Sequence, residues 1–391
     1  MQFYFENHIL DLSRRELRRG SNLIDLEPQV FDLLTYLMQN RDRVVSKDDL
    51  IASVWGGRIV SDSTLATRIN AARKAIGDNG EAQRLIRTMA RKGFRFTGTV
   101  TEHVKPAETA SPPAAMIPQQ EVHFCTASDD VRIAYASAGQ GPPLVKAANW
   151  MNHLEYDWHS PIWSHLLHAL ASERRLIRYD ERGNGLSDWD VDDISFEAFV
   201  RDLETVVDAA GLEKFSLFGI SQGCAVSIAY TVRHPERVDR LILYGGFARG
   251  RIRRNPEQAG TLEALIRQGW GNENPAFRQF FTSLFVPDGD PEQMKWFNDL
   301  QRITTSPENA VRIIQATGQI DISDLLPQVR VPTLVLHARN DAAQPFDEGR
   351  RIAAGIPGAR FVTLESRNHL VLEREPAWAR LLEEITAFLK G

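Results

Sequence analysis

The chain has 391 residues, 43% of them hydrophobic and 25% charged, and a formal net charge of −5. That length suggests two or three domains with enough apolar residues for a sizeable core, and no window resembles a signal peptide or a membrane span, so secreted and membrane-embedded classes are not expected. Two cysteines, Cys125 and Cys224, build no disulfide framework and fit a reducing cytoplasm.

The charge is unevenly spread. Residues 1–100 hold 16 Lys and Arg against 12 Asp and Glu, while the remainder holds 30 against 39. A modestly basic N-terminal module with an anionic partner is the expectation.

Phe3 to Phe5 and His8 to Leu12 alternate like short strands, and Arg14-Arg15 and Arg18-Arg19-Gly20 read as turn punctuation. Pro28 opens a first helix with an apolar stripe of Val30, Phe31, Leu33, Leu34 and Leu37. Ser46 is placed to cap a second helix from Lys47 to Trp55, stopped by Gly56-Gly57. One of Ser61, Asp62 and Ser63 caps a third, running through Leu65, Ile69, Ala72 and Ile76 to Gly77. Leu85 to Thr88 and Phe94 to Thr97 then flank Ala90-Arg91-Lys92-Gly93, a hairpin with a basic tip.

That order is a winged helix-turn-helix. The third helix presents Thr64, Thr67, Arg68 and Asn70, with Arg73 and Lys74 later, side chains able to reach base edges or phosphates. The N-terminal strands, the V-V-S-K-D-D-L-I-A-S-V-W run (Val44 to Trp55) and I-R-T-M-A-R-K-G-F-R-F (Ile86 to Phe96) carry a resemblance to the OmpR/PhoB-type winged-helix transcription-regulator domain over residues 1–101. The resemblance implies double-stranded DNA as partner. It assigns the major groove to Thr67, Arg68 and Arg73 and the flanking minor groove to Arg91 and Lys92. Neither a receiver domain nor a membrane helix is expected beside the module, so the signal is expected from the rest of the chain. A homodimer is an expectation, since such regulators usually read repeated half-sites.

Glu102 to Gln120, with Pro106, Pro112, Pro113 and Pro118, reads as a flexible, solvated linker. Beyond it, strand-like and helix-like stretches alternate, the pattern of a mainly parallel, doubly wound α/β sheet. Phe215 to Gly223 (F-S-L-F-G-I-S-Q-G) is an apolar strand running into a G-x-S-x-G turn and a helix, which would push the Ser221 hydroxyl clear of the sheet. Asp341 follows the strand Thr333 to His337, and His369 follows Arg360 to Leu364. Ser, then acid, then His, each just past a strand end, is the chain order of α/β-hydrolases.

Residues 121–391 resemble that superfamily. The D-E-R-G-N-G-L-S-D segment (Asp180 to Asp188) and the acid turn R-N-D-A-A-Q-P are similar to its esterase and C–C hydrolase branch. The resemblance implies Ser221 as nucleophile, His369 as general base and Asp341 as its orienting acid. One departure stands out: Ala148-Asn149 occupies the place of the usual His-Gly, leaving the backbone N–H groups of Trp150 and Gln222 as the oxyanion-hole candidates. The aromatic, helix-rich stretch from Phe247 to Leu325 holds the position of a lid, and Trp150, Met151, His153 and Trp158 are further candidates for the walls of an apolar pocket. The histidines between His153 and His168 have no metal-ligand spacing; neither a metal nor a cofactor is expected.

The fold class expected is α/β, a winged helix-turn-helix joined to an α/β-hydrolase fold with a helical lid at about 247–325. The expected function is cytoplasmic one-component regulation, with no membrane partner. The hydrolase domain either turns over a small apolar ester- or lactone-type ligand or signals by occupancy. A metabolic serine hydrolase whose N-terminal module serves oligomerisation is the other reading.

Overall fold

The computed structural model describes residues 2–12, 15–20, 22–24, 26–55, 60, 62–90, 92–103, 118–270 and 276–391. They fall into two compact units, 1–114 and 115–391.

In the first unit an antiparallel sheet runs, in spatial order, Asn22–Ile24, Glu16–Arg19, His8–Asp11, Gln2–Phe5 and Thr101–His103. The Arg18-Arg19 pair lies within a strand and not in a turn, which corrects the sequence expectation. Arg18 lies on the wet face, which an antiparallel sheet tolerates, opposite Leu17, 1% exposed, while Arg19 shares the face of Leu17 but sits exposed at the strand end. Arg19 Nε also donates to His8 Nε2 on the neighbouring strand at 2.9 Å. Thr101–His103 pairs with Gln2–Tyr4, so this unit continues to His103, two residues past the expected boundary.

Helices Pro28–Gln39, Lys47–Trp55 and Asp62–Ala75 follow, then the hairpin Ile86–Met89 and Gly93–Phe96. Pro28 is at the helix start, and Ser46 caps the second helix, its Oγ accepting from Asp49 N at 3.0 Å. Phe3, Phe5 and Leu10 of the sheet, Leu33, Leu34 and Leu37 of the first helix, Leu65 and Ile69 of the third, and Phe94 and Phe96 of the wing share one core. Gly93, at φ +128, is required: a Cβ there would lie 1.9 Å from the Val45 carbonyl oxygen, because Val45 and Phe94 exchange two backbone hydrogen bonds of 2.8 Å.

The second unit is built on an eight-stranded sheet ordered Arg360–Leu364, Thr333–Ala338, Val238–Tyr244, Phe215–Ile220, Pro143–Lys146, Arg175–Tyr179, Arg132–Ala138 and Gln120–Thr126. The first six are parallel to one another, and each of the last two is antiparallel to the strand before it in this order. The central strands are buried on both faces, as their continuous apolar runs require. Between Tyr244 and Thr333 the described residues form five α-helices, Arg251–Arg254, Pro256–Gly269, Ala276–Phe285, Pro291–Thr304 and Pro307–Gly318, and a short 3-10 helix, Leu326–Gln328. Proline at the first turn and side-chain caps from Asp290 and Ser306 start the last two α-helices. Trp270, Phe281 and Phe297 are buried among them, whereas Phe280 is exposed.

Candidate functional site

The strand Phe215–Ile220 ends in Ser221, whose φ of 54° and ψ of −124° are sparsely populated for any residue with a side chain. Two glycines make that bend sterically possible. A Cβ on Gly219 would lie 2.7 Å from Cys224 Cα, and one on Gly223 2.7 Å from the Ala148 carbonyl oxygen. The helix Gln222–Arg233 therefore presses directly against the 147–150 loop.

Asp341 sits in the turn after Thr333–Ala338. Its Oδ1 accepts from the backbone amides of Ala343 (2.8 Å) and Gln344 (2.9 Å), and its Oδ2 lies 2.7 Å from His369 Nδ1. Burial alone would raise this carboxyl. The neighbouring His369, the Gln344 amide and His337 outweigh it and hold the pKa below the usual aspartate value. A carboxylate facing Nδ1 assigns the ring proton to that nitrogen, leaving Nε2 as the basic lone pair. His369 Nε2 is buried and makes no hydrogen bond. The His369 residue lines a small cavity together with Ser221, Asn149, Trp150, Trp163 and Phe285. The expected nucleophile, base and acid are thus brought together around one imidazole, with the link from Ser221 to His369 open.

Gln222 stands at the first position of its helix, where a backbone amide has no intrahelical acceptor. Its side chain is turned away: Nε2 donates to Glu181 Oε2 at 2.5 Å. Glu181 is enclosed, and burial followed by the charges of Asp202 and Asp180 pushes its carboxyl well above the usual value. Trp150 belongs to the loop facing that helix and stacks on Trp270 (5.4 Å) and edge-on to Phe281 (5.3 Å). In place of His-Gly, the loop is tied by Lys146, whose Nζ donates to Asn149 Oδ1 and lies 5.1 Å from the Trp163 ring centre. Burial, then the Arg178 charge, pulls Lys146 below the ordinary lysine value; burial pushes nearby Asp157 up.

The D-E-R-G-N-G-L-S-D segment is a buried platform under this loop. Asp180 accepts from Asn152 Nδ2, Leu154 N and Leu186 N, and Arg182 is clamped by Asp202 and Asp129. Lys146, Asn152 and Glu181 were missed as site supports from the sequence. Their only signal was their position, next to a strand end and inside the motif. A cavity of about 210 Å³ opens beside Ser221, walled by Trp150, Gln222 and, from the inserted helices and their flanks, Phe247, Phe281 and Phe285. His153 and Trp158 do not line it. His153 Nδ1 accepts from Tyr156 N at the start of a short helix, and Trp158 packs edge-on against His168.

In the N-terminal unit Thr67 is exposed on Asp62–Ala75, its hydroxyl bonded back to Ser63 O at 2.8 Å, and Lys92 is exposed on the wing. Arg68 is half-buried and paired with Glu27. Arg73 requires correction. It is 4% exposed, and its guanidinium donates to Ile86 O (2.8 and 3.1 Å) and Thr88 Oγ1 (2.9 Å), tying helix to wing and leaving little for DNA. Arg91 and the Gly56-Gly57 stop lie outside the described residues, as does most of the expected linker. Among the described residues, no helix is long and apolar enough to cross a membrane and no group of three His, Cys, Asp or Glu is arranged to hold a metal.

Residues 20–96 match the family model of the C-terminal domain of transcriptional regulatory proteins, and residues 152–376 that of the α/β hydrolase fold. The chain belongs to the α/β-hydrolase family and joins that domain to an OmpR/PhoB-type DNA-binding domain. It is 25% identical over 254 residues to the AB hydrolase superfamily protein YisY of Bacillus subtilis, covering 63% of this chain and 92% of that protein. It is 28% identical over 247 residues to the putative carbamate hydrolase RutD of Azorhizobium caulinodans, covering 61% and 89%. An esterase from Exiguobacterium antarcticum has the same fold, with a TM-score of 0.59, 23% identity, and coverage of 68% of this chain and 99% of that one.

Proposed function

We infer that the protein is a one-component transcription regulator whose winged helix binds DNA and whose hydrolase domain takes a small, largely apolar ester or lactone under a lid formed by the inserted helices. The reading of the site rests on one observation: Ser221 and His369 line one small cavity, with Asp341 bonded to Nδ1 of the imidazole. In that chemistry Ser221 Oγ attacks the acyl carbon and His369 Nε2 takes its proton. The N–H groups of Trp150 and Gln222 stabilise the oxyanion, and the proton passes to the departing alkoxide. Water then repeats the sequence on the acyl-enzyme, releasing the acid and restoring Ser221.

A second reading is favoured by the absence of a hydrogen bond on His369 Nε2. Here the pocket signals by occupancy and Ser221 is not activated. Reaction of the purified protein with a fluorophosphonate probe tests the two, alongside Ser221→Ala and His369→Ala. Labelling that depends on both residues supports turnover; no labelling of folded protein supports the occupancy sensor.

A further inference from the structure

The cavity beside Ser221 is mostly apolar, but its wall includes Arg251, on the short helix Arg251–Arg254 that begins the insertion. Among the described residues no carboxylate pairs with this guanidinium and no acceptor bonds it, and burial draws its pKa below the usual arginine value. The other charges nearby are engaged. Glu348 accepts from the backbone amides of Ala248 and Arg249 and pairs with Arg249 (3.6 Å) and Arg351 (3.3 Å). Arg254 donates to Gln344 Oε1 at 3.1 Å, while its Nη1 is buried without a partner. Glu263 shares the cavity wall but is held by Arg267 at 2.8 Å and by Gln315.

An unpaired cation on an apolar wall is costly unless something anionic completes it. It is retained where a charge-assisted, geometrically specific bond to a ligand compensates. One lining guanidinium matches one planar carboxylate, presented as two parallel N–H donors to two oxygens. We propose that Arg251 binds an ionised carboxylate on the ligand, so the ligand class is an ester or lactone of a dicarboxylic acid, with an apolar segment between the reacting acyl carbon at Ser221 and the free carboxylate at Arg251. An anion there also relieves the repulsion of Arg251 on Arg254. The assignment rests on Ser221 and His369 as the reacting pair; the carboxylate itself undergoes no chemistry.

The test compares p-nitrophenyl hydrogen glutarate with its methyl ester, which has the same chain and no charge, on the full-length protein and on Arg251→Gln. The wild type is expected to prefer the acid, and Arg251→Gln to lose that preference by roughly ten- to hundred-fold in kcat/KM, the range for a hydrogen bond to a charged group. Equal kcat/KM for the two esters in the wild type, or an undiminished preference in Arg251→Gln shown to be folded by thermal denaturation, overturns the proposal. If neither ester is cleaved and no fluorophosphonate label is taken up, the hydrolytic reading fails by itself. The carboxylate site is then read from thermal shifts with glutarate and with dimethyl glutarate. Stabilisation by glutarate alone, absent from Arg251→Gln, supports it; no stabilisation by glutarate overturns it.

Discussion

Lys146 Nζ donates to Asn149 Oδ1 across 2.5 Å, and both side chains are buried behind the loop that faces the Ser221 elbow. Asn149 Nδ2 makes a longer contact, 3.5 Å, with the Trp150 carbonyl. With Ala148-Asn149 where the resemblance expects His-Gly, this lysine-to-asparagine tie fixes the backbone that carries the Trp150 N–H. Lys146→Met keeps an unbranched side chain only one atom shorter and removes the donor. Turnover of a p-nitrophenyl ester is expected to fall about ten- to hundred-fold in kcat, somewhat less than outright loss of an oxyanion donor, with a smaller change in KM. An unchanged kcat in folded protein would show that the tie does not position the loop.

The Asp341–His369 pair sets a pH dependence of stability. The folded-state pKa of Asp341 is depressed, so its contribution is present above the unfolded aspartate value of about 4 and is lost as pH falls through the lower folded value. Asp341→Asn removes this term. Thermal melts should therefore show wild type ahead of the variant at pH 6 to 7, by about 1–3 kcal/mol for a hydrogen bond to a charged group, with the gap closing below about pH 4. Activity, if present, should drop by roughly 10⁴ through loss of the correct imidazole tautomer. A gap that is the same at every pH would place the stabilisation elsewhere.

Arg73 and Lys92 are both basic residues of the DNA-binding unit, yet they should behave oppositely. Arg73→Ala leaves the Ile86 carbonyl oxygen buried without its donors and is expected to cost the unit about 1–3 kcal/mol. Lys92→Ala should leave the melting temperature alone, weaken DNA binding and lower the slope of log K against log salt by about 1. Fluorescence anisotropy over a salt series, paired with thermal denaturation, separates the two. Weakened binding with normal stability in Arg73→Ala would contradict its structural role.

The legible parts of this chain were those where spacing and backbone need coincide. The elbow glycines, the acid and the histidine could be read because each lies just past a strand end and in the order the fold dictates. Arg73 was misread although its signal was present. It lies four residues after Ile69 and three before Ile76, on the buried face of its helix, but a basic residue on a recognition helix was assigned to DNA. Lys146 was silent for a related reason: a lysine at a strand end reads as exposed, and only the enclosing platform of Asp157, Asp180 and Asn149 makes a buried cation tolerable. Arg251 had no sequence signal beyond the run of arginines after Ala248, because what distinguishes it is which of them lines the cavity and which are paired.

Gly223 carries a steric constraint on the oxyanion candidates. Its Cα faces the Ala148 carbonyl at the start of the Lys146-to-Trp150 loop, and a Cβ would sit 2.7 Å from that oxygen. The obstacle is backbone, so it cannot rotate away; the helix must retreat from the loop, separating the Gln222 and Trp150 amides that would share an oxyanion. Gly223→Ala should therefore abolish fluorophosphonate labelling of Ser221 or slow it by about 10² or more, the scale of losing one oxyanion donor. Most of the domain's stability should survive, since the sheet and its core lie below the turn. Melting temperature and labelling rate measured on the same preparation check this. Normal labelling in Gly223→Ala would mean that the loop yields and that the two amides need not approach so closely.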